Sequence, residues 1–188
     1  MKRNPVLLAA GLVLLAAGLL LHAGLATAED TAVKQMMNFG DVEDVAFAHS
    51  LWDGMQGYYE DWPMSSDFYD GTSPHGAYLR LYYNIVDIDG QPYHVIVKDN
   101  FGGQGASLEM VRETPRERLA AITVMVQMPE GYDPDNNDWF YARYDPDGMV
   151  SMKNSMALAG RVGDGTTASC IGCHAKAGGG DYIFTNDE

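Results

Sequence analysis

Cysteine is scarce in this chain of 188 residues, which holds two, Cys170 and Cys173, near its carboxyl end. A structural zinc ion needs four ligands, and no second Cys/His pair is present to complete such a site. The two cysteines lie three residues apart, and His174 follows directly. A plain disulfide, a thiol redox pair and covalent attachment of a cofactor all remain open at this point.

Positive charge is also scarce. The chain has 12 Lys and Arg residues against 26 Asp and Glu residues, and a formal net charge of −14 at pH 7. Such a surface repels nucleic acid and anionic lipid, so neither is expected as a partner. It attracts a basic protein partner, or it serves mainly to keep an exported protein soluble.

Long apolar runs are absent apart from one near the amino end, at residues 6–21. This run follows a basic start and precedes Ala26 and Ala28, a pattern typical of a signal peptide with a small-residue cleavage site. It is short for a membrane span, so we expect residues 1–28 to be cleaved rather than kept as an anchor. Residues 29–188 then form a single periplasmic domain that does not span the membrane.

Internal repeats are absent too, and the pattern after the leader changes from helical to alternating. Asp41 is placed to cap a helix whose apolar residues recur at helical spacing up to Met55. Period-two alternation then predicts four strands, at 77–83, 93–98, 122–128 and 139–144. Asp89-Gly90 supplies a turn between the first two. The predicted fold is α+β, predominantly antiparallel β-sheet, with an N-terminal helix and a short C-terminal helix.

The two cysteines and the histidine form the C-x-x-C-H signature of c-type haem attachment. Positions i, i+3 and i+4 of a helical turn share one face, so Cys170 and Cys173 can each bond a haem vinyl group. His174 then lies beneath the iron as its proximal ligand. We therefore expect one covalently attached haem c, with its iron, on a short C-terminal haem-binding helix.

Methionine and histidine are absent after His174, whereas small electron-shuttling cytochromes c have a Met ligand well downstream of this signature. A sixth ligand would have to come from earlier in the chain, from Met149, Met152, Met156, His49, His75 or His94. Each of these is better explained as a core, surface or structural residue. We therefore expect a five-coordinate iron with an open distal side. A haem whose sixth position is free binds or transforms small molecules, whereas a haem with both axial positions occupied carries electrons.

The chain contains CIGCH followed by DYIFT at its C-terminal end, and the segments HGAYLRLYYN, VIVKDN and DWFYARY. These four stretches resemble the cytochrome P-460 family, with which cytochrome c′-beta shares a structural superfamily. The resemblance covers roughly residues 74–185. It implies a β-rich mono-haem protein of the periplasm, usually a homodimer. The period-two strands argue against the four-helix bundle of the helical cytochromes c′.

The family also implies a role for Lys98. In P-460 members a lysine side chain is bonded to a meso carbon of the haem, and its place in VIVK makes Lys98 the matching residue. Lys98 shares a strand face with His94 and Ile96, so it can point into a pocket. Burial beside a haem would lower its pKa towards the neutral amine that C–N bond formation needs. The alternative is a solvated lysine at a strand end.

Two further residues are candidates for catalysis. Arg80 matches a family position near the distal pocket, where it would orient a haem-bound ligand or pair with a propionate; the alternative is a surface arginine. Asp164, the nearest carboxylate before Cys170 along the chain, is a candidate distal base or a solvated loop residue.

The resemblance implies an enzyme that oxidises hydroxylamine, with nitric oxide as a reactant or intermediate, and passes electrons to a cytochrome. The main alternative is a c′-beta-like cytochrome that binds nitric oxide without turnover. A simple electron-transfer cytochrome c is the weaker alternative. Whether the distal pocket holds a usable carboxylate decides between catalyst and gas binder.

Overall fold

The computed structural model of the chain describes residues 39–103, 105–163 and 169–184. The expected signal peptide and its cleavage site lie outside these ranges. No helix within them is long and apolar enough to cross a membrane.

The described α-helices are few and short, and the strands hold more residues than the helices do. The helices are α1 (Val42–Gly54), α2 (Tyr58–Asp61), α3 (Leu108–Glu113), α4 (Pro115–Arg118) and α5 (Cys170–His174). The strands are β1 (Met64–Ser65), β2 (Tyr69–Asp70), β3 (Tyr78–Ile88), β4 (Gln91–Phe101), β5 (Leu119–Gln127), β6 (Trp139–Tyr144), β7 (Met152–Lys153), β8 (Met156–Ala157) and β9 (Ala159–Gly160). The expected α+β class, dominated by antiparallel sheet, is confirmed.

The main sheet has the strand order β1-β3-β4-β5-β6-β9, with β2 also paired to β3, and β7 and β8 form a separate hairpin. Every pair in it is antiparallel. The four strands expected from the alternation correspond to β3, β4, β5 and β6. Strands β3 and β4 run longer than expected, 11 residues each, because Asp89 and Gly90 adopt the positive φ angles (54° and 82°) of a tight hairpin turn.

Helix α1 begins where the sequence predicts. The Asp41 carboxylate accepts hydrogen bonds from the backbone N–H groups of Glu43 and Asp44, both at 2.9 Å. The apolar side of the helix, which includes the fully buried Ala48, packs on the sheet. The buried Tyr144 hydroxyl donates a 2.7 Å hydrogen bond to the Ala48 carbonyl and so ties α1 to β6.

Strand β4 is buried on both faces of the sheet from Val95 to its end. Val95 and Val97 pack in the main core with α1, on what we call the helix face. Ile96 and Lys98 point to the opposite side, the cavity face, which the segment 169–184 covers. Because side chains alternate with period two, the pairing register decides which residues of the neighbouring strands share each face.

Candidate functional site

The C-x-x-C-H segment forms helix α5, as expected. Its N-cap is Ser169, whose hydroxyl accepts a 3.0 Å hydrogen bond from the Gly172 N–H. Cys170 and Cys173 are free thiols rather than partners in a disulfide. One helical turn therefore presents both thiols and His174 to the same cavity.

His174 is buried, and its ring packs against the rings of Tyr141 and Phe184, with centroid distances of 5.4 and 5.5 Å. Its Nδ1 lies 2.7 Å from the Tyr182 carbonyl oxygen. A carbonyl oxygen only accepts, so Nδ1 carries the proton. Burial lowers the pKa of His174 to about 4, so the imidazole is neutral at physiological pH. The Nε2 lone pair is then available to a metal, an arrangement usual for metal-ligating histidines.

A cavity of about 720 Å³ lies between α5 and the cavity face of the sheet. Its volume is in the range of pockets that enclose a cofactor-sized molecule. Most of its lining is apolar, from side chains such as Leu81 and Ile96. The sheet contributes a few polar side chains, among them Lys98, Thr123 and Tyr141. A mostly apolar space with a few polar groups suits the macrocycle of a haem.

Lys98 enters the cavity from β4, and its side chain is buried. Burial lowers the pKa of its amine, and the nearby Cys173 opposes this shift only in part. The Nζ atom donates one long hydrogen bond, 3.4 Å, to the Phe184 carbonyl. A solvated lysine at a strand end therefore does not describe Lys98.

Three polar groups of the cavity wall were not identified from the sequence. The Tyr141 hydroxyl is buried and has no hydrogen-bond partner within the described part of the chain. Arg143 and Lys153 also line the cavity. An unpaired buried hydroxyl and two cationic side chains are suitable partners for the two propionates of a haem. The residues present thus fit a haem, with thiols and imidazole on one wall and polar partners on another.

Strand pairing explains how these groups come together. Leu81 of β3 pairs with Lys98, and Lys98 pairs with Thr123 of β5. Thr123 in turn pairs with Arg143 of β6, so this row crosses four strands on the cavity face. Tyr141 lies two residues before Arg143 and therefore on the same face. The alternation in DWFYARY could have identified both residues, had the register of β6 with β5 been known.

The structure does not bring Arg80 to this cavity. Its neighbour Leu81 occupies the cavity face, so Arg80 projects from the helix face. There its guanidinium lies over the rings of Phe68 and Tyr82, at 5.3 and 5.1 Å from their centroids. Its Nε donates a 3.1 Å hydrogen bond to the Ser66 carbonyl. From this position Arg80 does not reach a ligand or a propionate in the cavity.

The candidates for a sixth ligand separate into two groups. Four lie outside the cavity lining: His49, His94, Met149 and Met156. Met152 and His75 line it, and the ring centroid of His75 lies 6.3 Å from that of His174. Asp164, the candidate distal base, lies outside the described residues. Within the described ranges no carboxylate lines the cavity.

Two thiols and an imidazole on one helical turn, facing an apolar cavity of macrocycle size, place the molecule among the haem-binding cytochromes. A family model described as Cytochrome P460 matches residues 58–185. The chain belongs to the cytochrome P460 family, and its cofactor is accordingly a haem with its iron. No curated protein and no solved structure shows significant similarity to the chain.

Proposed function

We propose that this protein is a periplasmic mono-haem c-type cytochrome that oxidises hydroxylamine. The observation that carries the proposal is the buried Lys98 amine in the same cavity as Cys173 and His174. Oxidation of hydroxylamine to nitric oxide releases three electrons and three protons, so an electron acceptor is needed. A basic cytochrome is the acceptor that the acidic chain would attract.

Residues of α5 hold the cofactor in this proposal. Cys170 and Cys173 form the two thioethers, and Nε2 of His174 binds the iron. The apolar lining packs around the macrocycle and excludes water, while Arg143 and Lys153 neutralise the propionates. The haem supplies an iron that binds small nitrogen compounds and takes up their electrons.

Lys98 is the residue that we propose to be bonded to a meso carbon of the macrocycle. The new C–N bond replaces one N–H and one C–H bond, so two protons and two electrons leave, to a two-electron oxidant of the peroxide class. The reaction needs the lone pair of a neutral amine, and the burial of Lys98 favours that form. A bond of this kind perturbs the electronic structure of the macrocycle.

The protons released from hydroxylamine need an acceptor. Asp164 remains our candidate because it precedes Cys170 by a short stretch of chain. A positioned general base typically contributes about 10²–10⁴ in rate, so its presence or absence separates turnover from simple binding.

The first test compares the ferrous absorption spectra of the holoprotein and two variants. The wild-type Soret band should lie far to the red of ordinary c-type haem. Lys98→Arg should keep its haem through the thioethers but show an ordinary c-type spectrum, because a guanidinium does not become a neutral nucleophile. Lys176→Arg makes the same change at an exposed lysine outside the cavity lining and should leave the spectrum unaltered. Identical spectra for wild type and Lys98→Arg would rule out the crosslink.

The second part of the test measures turnover. The wild-type protein should reduce an artificial oxidant when hydroxylamine is added, and gaseous product should appear in step. Failure at every pH, together with stable nitrosyl formation, would contradict the enzyme. It would favour a second candidate function, capture of nitric oxide without turnover, which gains support from the lack of a carboxylate among the described cavity residues.

A further inference from the structure

His75 is a second imidazole in the cavity, close to His174. The ring centroids are 6.3 Å apart, and the ring planes cross at 78°. Both residues line the same cavity, although one lies in the loop before β3 and the other on α5. The sequence offered His75 as one of six possible sixth ligands, with nothing to single it out.

The tautomer of His75 is fixed by its neighbour Asn100. The Nδ2 amide of Asn100 donates to the Lys98 carbonyl at 2.7 Å and to the Thr123 hydroxyl at 3.1 Å. Its Oδ1 is then the acceptor for His75 Nδ1, which lies 2.7 Å away and must carry the proton. The Nε2 atom of His75 therefore bears the lone pair, as it does in His174. Both imidazoles are in the form that binds a metal through Nε2.

The loop that carries His75 is docked tightly enough to hold the ring in place. The His75 N–H donates a 2.9 Å hydrogen bond to the Thr72 carbonyl. At Gly76 a Cβ atom would lie 2.3 Å from the Phe101 carbonyl oxygen, so backbone of the loop and backbone of β4 are in direct contact there. Glycine is required for that approach, and it fixes the loop to the end of the strand that also carries Lys98 and Asn100.

The distance between the two ring centroids matches the value expected for two imidazoles that bind one metal ion. A bond between a first-row metal ion and an imidazole nitrogen is about 2.0–2.1 Å long, and the ring centre lies about 1.1 Å behind that nitrogen. Two imidazoles on opposite sides of one ion thus have centroids about 6.3 Å apart. An imidazole that does not bind the iron, but hydrogen-bonds to a molecule bound there, lies further from the iron. The bound molecule and a hydrogen bond of about 2.7–3.0 Å then separate the imidazole from the iron.

We propose that His75 is the second axial ligand of the haem iron in the resting protein, through Nε2. This goes beyond the proposed function and does not depend on hydroxylamine being the substrate. The sequence led us to expect a five-coordinate iron, whereas in this proposal His75 occupies the sixth position of the resting protein. An external molecule then binds only when His75 leaves the iron. The apparent affinity for that molecule is therefore the intrinsic affinity multiplied by the fraction of protein in which the iron is free.

Electron paramagnetic resonance and absorption spectra of the ferric holoprotein test this without any activity assay. The wild type should be low-spin, with the signature of two nitrogen ligands. His75→Ala should become high-spin, and added imidazole should restore the low-spin state. His94→Ala, which removes an exposed histidine outside the cavity, is the matched control and should remain like wild type. His75→Met keeps a potential ligand and should give a low-spin spectrum of changed, mixed-ligand type.

Ligand binding gives an independent reading. If His75 occupies the iron in about nine molecules of ten, His75→Ala should raise the apparent affinity for azide about tenfold. Asn100→Ala should raise it in the same direction, because it releases the ring of His75. A high-spin wild-type spectrum that His75→Ala leaves unchanged would overturn the proposal and would mean that the two imidazoles merely pack together. Because hydroxylamine is not used, that outcome would leave the proposed activity standing.

Discussion

Burial shifts the pKa values of three polar side chains at the cavity towards their neutral forms. The pKa of His174 is lowered to about 4, that of Lys98 is lowered, and that of the Cys170 thiol is raised to about 11. In each case burial is the largest cause, because an apolar surrounding disfavours the charged form. These shifts suit a site for an apolar macrocycle, and they favour the neutral imidazole and the neutral amine that bond formation needs.

Asp99, next to Lys98 but on the helix face, should make stability depend on pH. It is buried against the Tyr58 hydroxyl, and Arg116 lies 3.4 Å from it. Burial raises the pKa of Asp99 from 3.8 to about 6, so the folded state holds the proton more tightly than the unfolded chain between these values. The free energy of unfolding should therefore fall as pH rises from about 4 to about 6, on the order of 2 kcal/mol from this group.

Urea unfolding of the holoprotein between pH 4 and pH 7 measures this dependence. Asp99→Asn should remove the falling contribution of Asp99, because the amide does not titrate. Asp44 contributes in the same direction as Asp99, since burial raises its pKa to about 6 as well. The lowered pKa of His174 contributes in the opposite direction, so the quantity to compare is the difference in slope between wild type and variant. Asp53→Asn, at an exposed position of α1, is the control and should leave the slope unchanged. An equal slope in wild type and Asp99→Asn would show that Asp99 is not the group responsible.

At the scale of the elements, the N-cap Asp41 sets the start of α1. The helix has acidic residues in its first turn, and their negative charges interact favourably with the positive end of the helix dipole. It has no basic residue in its last turn. The Asp41 carboxylate satisfies two of the backbone N–H groups that the first turn leaves unpaired. This cap fixes where the helix starts and therefore which residues reach the sheet.

Replacing the cap should destabilise the protein without changing the haem site. Asp41→Ala is expected to lower the free energy of unfolding by about 1 kcal/mol, because two N–H groups lose their acceptor. Asp53→Ala removes the same charge from the other end of α1, away from the cap, and should change stability by no more than about 0.5 kcal/mol. Chemical denaturation measures both variants. Equal effects would mean that net charge, and not the cap, accounts for the loss.

Some of the elements and the site were predictable, for identifiable reasons. The cap at Asp41, the strand β6 and the helical turn of Cys170, Cys173 and His174 are local patterns, and the sequence predicts each of them. The side of the sheet on which Arg80 lies was not predictable. Strand β4 is buried on both faces, so its composition does not show which face carries the cavity. That depends on which face the segment 169–184 covers, a contact between distant parts of the chain.

His75 illustrates the same limit for a loop. Its sequence neighbours give no periodicity, so the pattern predicts only that it lies before a strand. Its place near His174 follows from the docking of Gly76 on Phe101 and from the bond to Asn100, which are long-range contacts. Such contacts form only when the whole sheet is assembled.

At the scale of the whole molecule, the larger hydrophobic core and the cavity lie on opposite faces of the sheet. The helix face carries the larger core, with α1 and the aromatic side chains of Tyr58, Tyr82 and Phe140. The cavity face carries a smaller core around a space that a cofactor fills. A ligand that binds only the folded state adds to its stability, so the haem contributes to the fold from the cavity side. The two faces share β4, in which Lys98 and Asp99 are adjacent but serve opposite sides.

The acidic character of the whole chain leads to a prediction about electron transfer. With 26 acidic against 12 basic residues, the protein should attract a basic acceptor over a distance set by ionic strength. The screening length falls from about 30 Å at 0.01 M salt to about 8 Å at 0.15 M. The second-order rate of electron transfer from the reduced protein to a basic cytochrome c should therefore fall about tenfold or more over this range.

Stopped-flow mixing at several salt concentrations measures that rate, and ferricyanide provides the control. Ferricyanide is a multiply charged anion, so the acidic protein repels it and added salt should speed its reaction. Opposite slopes for the two acceptors would show that the field of the protein steers its partner towards the haem. Two flat profiles would mean that the charge serves solubility alone. A rate to the basic acceptor that rises with salt would exclude a basic cytochrome as the physiological partner.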